Sequence, residues 1–108
     1  MVLNGLKACD TCRKALKALN SAGLEARLRD LRDAPPSATE IAAWHDALGA
    51  GLLNTRSTTW RGLSEEERAR DPEALMQTHP ALIKRPVIVA GDALHLGWTP
   101  KVQAALGL

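Results

Sequence analysis

The chain contains no phenylalanine and no tyrosine, and its 108 residues include only three tryptophans. A core must therefore be assembled mainly from Leu, Ala, Val and Ile, within a single domain large enough for two or three packed layers. No apolar stretch approaches the roughly 20 residues of a membrane span, and Met1 leads into a short strand-like run that soon meets Lys7, so no signal peptide is readable. The net charge of +2 is dispersed without any long run of one sign. Neither a nucleic-acid nor a membrane partner is expected from such a surface. Metal ligands are equally sparse, because His45, His79 and His95 are isolated and there are two cysteines in all. A structural zinc site needs about four ligands, so none is expected.

The two cysteines stand together as Cys9-Asp10-Thr11-Cys12, between the apolar run Val2, Leu3, Leu6 and an amphipathic stretch from Arg13 to Ala22. A thiol at a strand-to-helix junction meets unsatisfied backbone N–H groups and the positive end of the helix dipole, and both favour the thiolate. The thiolate is the species that attacks disulfides and oxidised substrates. In a chain without an export signal, such a pair points to a redox-active site in the reducing cytoplasm.

Patterning supplies the frame. Val2–Leu6 is predicted as a strand and Thr11–Ala22 as a helix with Ala15, Leu16 and Leu19 on one face, capped by Gly23. The alternation Leu24, Ala26, Leu28 predicts a second, half-buried strand. Pro35-Pro36 breaks the pattern, and Ser37-Ala38-Thr39-Glu40 is a capping box that opens a helix ending at Gly49. Gly51–Gly62 reads as a loop. Ser64–Glu67 resembles another box, and Asp71-Pro72 starts a further helix closed by His79-Pro80. Pro86–Ala90, Gly91-Asp92 and Ala93–Leu96 spell a hairpin, and Thr99-Pro100 starts the last helix. The order is β-α-β, a helical insert, then β-β-α. That is an α/β, thioredoxin- or glutaredoxin-like fold, with a core of residues 1–31 and 83–108 and an insert over about 35–80.

Cys9, preceding the helix, is the expected nucleophile, with Arg13 and Lys14 adding positive potential and Asp10 opposing it. Cys12 lies one turn later on the same face, where it either resolves a mixed disulfide or serves as a small buried filler. Arg85-Pro86 opens the third strand, and in a sheet of this kind that position faces the thiol. Arg85 offers a planar fork for a carboxylate or oxyanion. The loop Asn54–Arg61 either binds an anion such as a glutathione carboxylate or caps a short helix with its Ser and Thr. His45 is placed on a helix surface, His79 at a helix end, and Trp98 in packing.

Four segments, Cys9 to Ala15, Leu53-Asn54-Thr55-Arg56-Ser57, His79 to Pro86 and Leu96-Gly97, resemble the ArsC/Spx/YffB family of thioredoxin-like proteins over essentially the whole length. The resemblance implies a glutaredoxin-like fold with an inserted helical subdomain, a nucleophilic Cys9 and a cis proline at Pro86. Within the family, arsenate reductases use one cysteine and three arginines. Here only Arg85 matches, Asn54 stands where a second is expected unless Arg56 substitutes, and Gly97-Trp98-Thr99 offers no third. The YffB-like branch, regarded as glutathione-dependent thiol reductases, is the nearest in length and loop sequence. The resemblance thus implies catalysis by Cys9, Cys12 and Arg85, and binding of glutathione or a small anionic or disulfide substrate through Arg13, Asn54, Arg56, Arg85 and Pro86. The resemblance further implies glutathione as co-substrate, and no bound cofactor is expected. The alternatives are an arsenate reductase served by glutathione or glutaredoxin, and an Spx-type redox regulator that binds RNA polymerase.

Overall fold

The computed structural model describes residues 1–108, which divide into two compact units: Met1–Ala34 with Arg85–Leu108, and Pro35–Lys84. The first unit contains β1 (Val2–Gly5), α1 (Asp10–Ser21), β2 (Arg27–Asp30), β3 (Val87–Ala90), β4 (Ala93–Leu96) and the last helix. Its sheet runs β2-β1-β3-β4. β1 and β2 are parallel, with Leu3 opposite Leu28; β1 and β3 are antiparallel, with Leu3 opposite Ile88. β3 and β4 form the hairpin, Ile88 opposite His95, and Gly91 takes the positive φ of 60° that its turn requires.

Helix α1 forms because Cys12, Ala15 and Leu19 recur on one buried face while Arg13, Lys14 and Lys17 point to solvent. It ends in a Schellman motif: Gly23 (φ 79°) donates to the Asn20 carbonyl, and Leu24 to that of Leu19, both at 3.0 Å. Leu3, Ala15, Leu19, Ile88 and Leu106 make the core of this unit, with Leu24, Ala26, Leu28 and Trp98 packed against it. Truncating Ile88, fully buried on the central strand β3, is expected to cost about 2–5 kcal/mol. Urea unfolding of Ile88→Ala measures this directly, and a loss below about 1 kcal/mol would show that the sheet and α1 are not clamped through it.

The second strand starts three residues later than the alternation predicts, at Arg27 rather than Leu24. Leu24 N–H is spent on the Schellman bond, Ala26 N–H is taken by Asn20 Oδ1 at 2.8 Å, and Glu25 adopts a left-handed φ of 47°. With these donors committed to the end of α1, pairing starts only at Arg27. The alternation of Leu24, Ala26 and Leu28 against Glu25 and Arg27 still describes which side chains are covered.

The second unit holds α2 (Ala38–Leu48), a 3-10 turn (Gly49–Leu52), α3 (Thr58–Arg61), α4 (Glu65–Arg68), α5 (Pro72–Thr78) and a second 3-10 turn (Pro80–Leu82). Ser37 and Glu40 close a reciprocal capping box, Asp71 caps α5 with Pro72 in its first turn, and α2 packs against α5. Asn54 N–H donates to the Leu82 carbonyl at 2.7 Å and Lys84 N–H to that of Leu52 at 2.8 Å. These bonds tie the two 3-10 turns of the unit together. Gly51–Gly62, expected as a loop, contains part of a 3-10 turn and all of α3, because Ser57 caps the Trp60 N–H at 3.1 Å. His45 is also more covered than a surface position implies. Its Nδ1 lies 2.8 Å from Glu73 on α5, at the α2–α5 contact. The final helix of the first unit, α6 (Pro100–Ala105), is capped by Thr99. No helix of the chain is long and apolar enough to cross a membrane.

Candidate active site

Strand β1 delivers the chain to the site. After Gly5 the backbone turns, Cys9 N–H donating to the Leu6 carbonyl at 3.0 Å, and α1 begins with Cys9 as its N-cap. The turn is braced by Asp30 at the end of β2, whose carboxylate accepts the Lys7 N–H at 2.9 Å and the Arg32 N–H at 2.8 Å. These backbone bonds hold the Asp30 carboxyl below the usual carboxylate range. Asp30 is a contributor that sequence reasoning missed, since its role depends on the parallel β1–β2 register. Lys7 pairs with Asp33 at 3.0 Å, but both side chains are well exposed and the pair adds little.

Cys9 is partly exposed and Cys12 fully buried, and the two thiols are free. Partial burial disfavours the Cys9 thiolate. The Cys12 backbone amide, the Cys12 thiol and the Arg85 guanidinium together outweigh it and leave the Cys9 thiol below its ordinary value. Cys9 completes no cap hydrogen bond of strict geometry, yet the Cys12 amide is near enough to stabilise charge once the sulfur ionises.

Cys12 behaves oppositely. Burial pushes its thiol up to about 11, and a bond from the Leu6 backbone and the charge of Arg85 offset this only in part. One sulfur is thus disposed to attack and the other to hold its proton, a single dithiol titrating as a coupled pair.

A pH dependence follows. In the unfolded chain Cys12 loses its proton near the ordinary thiol value of about 8.5, whereas the folded chain retains it to about 11. Between those values the native state binds more protons than the unfolded state, so stability falls as pH rises. Cys9, shifted downward, contributes with the opposite sign and below the ordinary value, outside this window. The thermal midpoint is expected to decline through the alkaline window in wild type and to decline less in Cys12→Ala. Parallel curves would remove Cys12 as the cause.

Arg85 and Pro86 belong to the same unit as the cysteines, and the bond joining them is cis. Pro86 is buried and its carbonyl accepts the Gly97 N–H at 2.9 Å. The structure thus brings Arg85 to Cys9. Arg13 follows Cys12 on α1, but its guanidinium pairs with Asp10 on the exposed side of the helix. Asn54 and Arg56 lie in the second unit. Asn54 Oδ1 accepts the Arg56 N–H at 3.1 Å, and its carbonyl accepts the Ser57 hydroxyl at 3.0 Å. This is a capped turn leading into α3, with the Arg56 side chain exposed. Arg68 secures the end of α3 by donating to the carbonyls of Trp60 at 3.2 Å and Arg61 at 3.1 Å, with its guanidinium 5.6 Å from the Trp60 ring centre.

The sheet order and the dithiol at its first strand-to-helix turn define a thioredoxin-like protein built for thiol redox chemistry. The ArsC family pattern matches residues 5–106, and the chain belongs to the ArsC family. It is 34% identical over 106 residues to an uncharacterized protein of Haemophilus influenzae, covering 94% of this chain and 93% of the other. An arsenate reductase of Neisseria meningitidis serogroup A is 27% identical over 96 residues, covering 82% of each chain. Among solved structures, the YffB protein aligns with a TM-score of 0.88 at 34% identity, over 97% of this chain and 96% of that one.

Proposed function

We propose that this protein is a cytoplasmic thiol–disulfide oxidoreductase that uses glutathione as reductant. The observation that carries the reading is the Cys9 sulfur, partly exposed at a helix N-terminus and favoured as thiolate by the Arg85 guanidinium. The Cys9 thiolate attacks a sulfur of a glutathione mixed disulfide. A new S–S bond to Cys9 forms, the substrate S–S bond breaks, and the departing thiolate takes a proton from water. A glutathione thiolate then attacks the glutathionyl sulfur held on Cys9, forming glutathione disulfide and returning the Cys9 thiolate. On the dithiol route Cys12 attacks the Cys9 sulfur instead, releasing glutathione and leaving a Cys9–Cys12 disulfide that two glutathione thiols reduce. By either route one mixed disulfide and one glutathione thiol become one free substrate thiol and one glutathione disulfide. Arg85 supplies the cation for a carboxylate of the substrate. Such a dithiol works in the reducing environment of the cytoplasm.

Arsenate reduction is the second reading, supported by relatives that carry the name arsenate reductase. A dianionic oxyanion needs several charge-assisted donors to replace its hydration. Arg85 is an arginine whose charge acts on the Cys9 sulfur, and Asn54, whose side-chain oxygen holds its own turn, brings no charge of its own.

NADPH consumption coupled through glutathione reductase, with a glutathione mixed disulfide and with arsenate in separate assays, decides between them. Turnover of the mixed disulfide alone is the expected result. Turnover of arsenate alone would overturn it, and activity on neither would leave the redox-switched regulator, to be tested by RNA polymerase capture in reduced and oxidised states.

A further inference from the structure

Gly5 ends β1 without the usual reason for a glycine. Its φ is not among the positive ones, so an L side chain meets no backbone obstacle there. What forbids a side chain is space. A Cβ at Gly5 would stand 2.4 Å from the Cys12 sulfur but 3.5 Å from the Cys12 Cβ and 3.8 Å from Leu28 Cδ1. The last two are ordinary van der Waals contacts. The first is not, and the atom it displaces is the thiol itself.

We infer that Gly5 is a positioning residue of the dithiol: the side chain it lacks is the space in which the Cys12 sulfur sits, within reach of Cys9. This inference rests on the thiol-redox reading and specifies how the fold sets the nucleophile. Cys12 has no exposed surface, and its neighbours on α1, Ala15 and Leu19, fix the helix face against the sheet. The sulfur can therefore yield to a methyl group at position 5 only by rotating about its own Cα–Cβ bond. The Cys12 thiol is one of the groups that favour the Cys9 thiolate, so rotating it away removes a donor from the nucleophile. A glycine inside a strand pattern is a sign of close approach, and here the approaching atom is a sulfur of the redox pair. Gly5 touches no substrate in this account; it acts through Cys12.

Thiolate absorbance in the ultraviolet, followed against pH, reads the Cys9 titration without any substrate, so failure of this inference is separable from failure of the enzyme reading. The titration is run on wild type, Gly5→Ala, Cys12→Ala and the double variant. Gly5→Ala and Cys12→Ala are each expected to move the Cys9 midpoint upward, and the double variant to match Cys12→Ala with no further change, since both substitutions remove one donor. An unmoved midpoint in Gly5→Ala, or additive displacements in the double variant, would overturn the inference. If Gly5→Ala fails to fold, the double variant still decides: the contacts left are 3.5 Å and 3.8 Å, so its folding supports the sulfur as the sole obstacle. A double variant that also fails to fold would overturn it, as would an unchanged midpoint in Cys12→Ala.

Discussion

Cys9→Ser is expected to lower turnover of a glutathione mixed disulfide by at least about a thousandfold, the scale on which covalent catalysts lose activity without their nucleophile. Serine retains the size and a hydrogen-bonding atom but forms no S–S bond, so the first covalent step disappears rather than slows. The substitution is also well placed structurally. Cys9 is the N-cap of α1 and makes no cap bond of strict geometry as a thiol, whereas a serine oxygen is among the best acceptors for the free amides of a first turn. Thermal stability is therefore expected to hold or rise while activity vanishes. That pairing excludes unfolding as the cause of the loss. Turnover retained by Cys9→Ser would end the mechanism, and the weight would pass to a thiol-independent or binding role.

Much of this arrangement is legible in the chain because its signals are short-range. Ser37 with Glu40, Asp71 with Pro72 and Thr99 with Pro100 each satisfy helix N-terminal groups within three residues, and each opens a helix in the structure. The dithiol is legible for the same reason, since spacing alone sets both sulfurs at the first turn of α1.

Where pattern and structure part, a competing local bond or a distant partner decides the outcome. The alternation of Leu24 to Leu28 describes coverage correctly. It misplaces β2, because the end of α1 takes the amides of Leu24 and Ala26. Helix α3 is a single turn, too short for any periodicity, and only the Ser57 cap marks it. His45 reads as a surface residue because Glu73 is remote in sequence and reaches it only once α2 and α5 pack. Gly5 is visible as a glycine at a strand end. Its significance needs the position of the Cys12 sulfur, which no spacing rule provides.

Arg85 is the test of how far the nucleophile is tuned from outside its own helix. The guanidinium favours the Cys9 thiolate both as a charge and as a hydrogen-bond donor. In a reaction that needs the thiolate, kcat/KM rises with pH through the Cys9 midpoint and then levels. Lowering that midpoint places the rising limb below the ordinary thiol value of about 8.5. Arg85→Ala is expected to carry the limb to higher pH, and at a pH below both midpoints the rate falls about tenfold for every pH unit the limb moves. Above the limb the sulfur is ionised in both proteins, so any deficit there measures something else. If Arg85 also meets a substrate carboxylate, a loss of about 10- to 100-fold persists on the plateau, the scale of one hydrogen bond to a charged group. Arg85→Lys separates the two contributions. It keeps the charge, which returns most of the limb, but replaces the planar fork with a point donor, which leaves part of the plateau deficit. A limb that stays in place in Arg85→Ala would show that the helix terminus and Cys12 set the thiolate without the arginine. A limb that moves while the plateau recovers fully would make Arg85 a positioning group for the sulfur rather than a substrate contact.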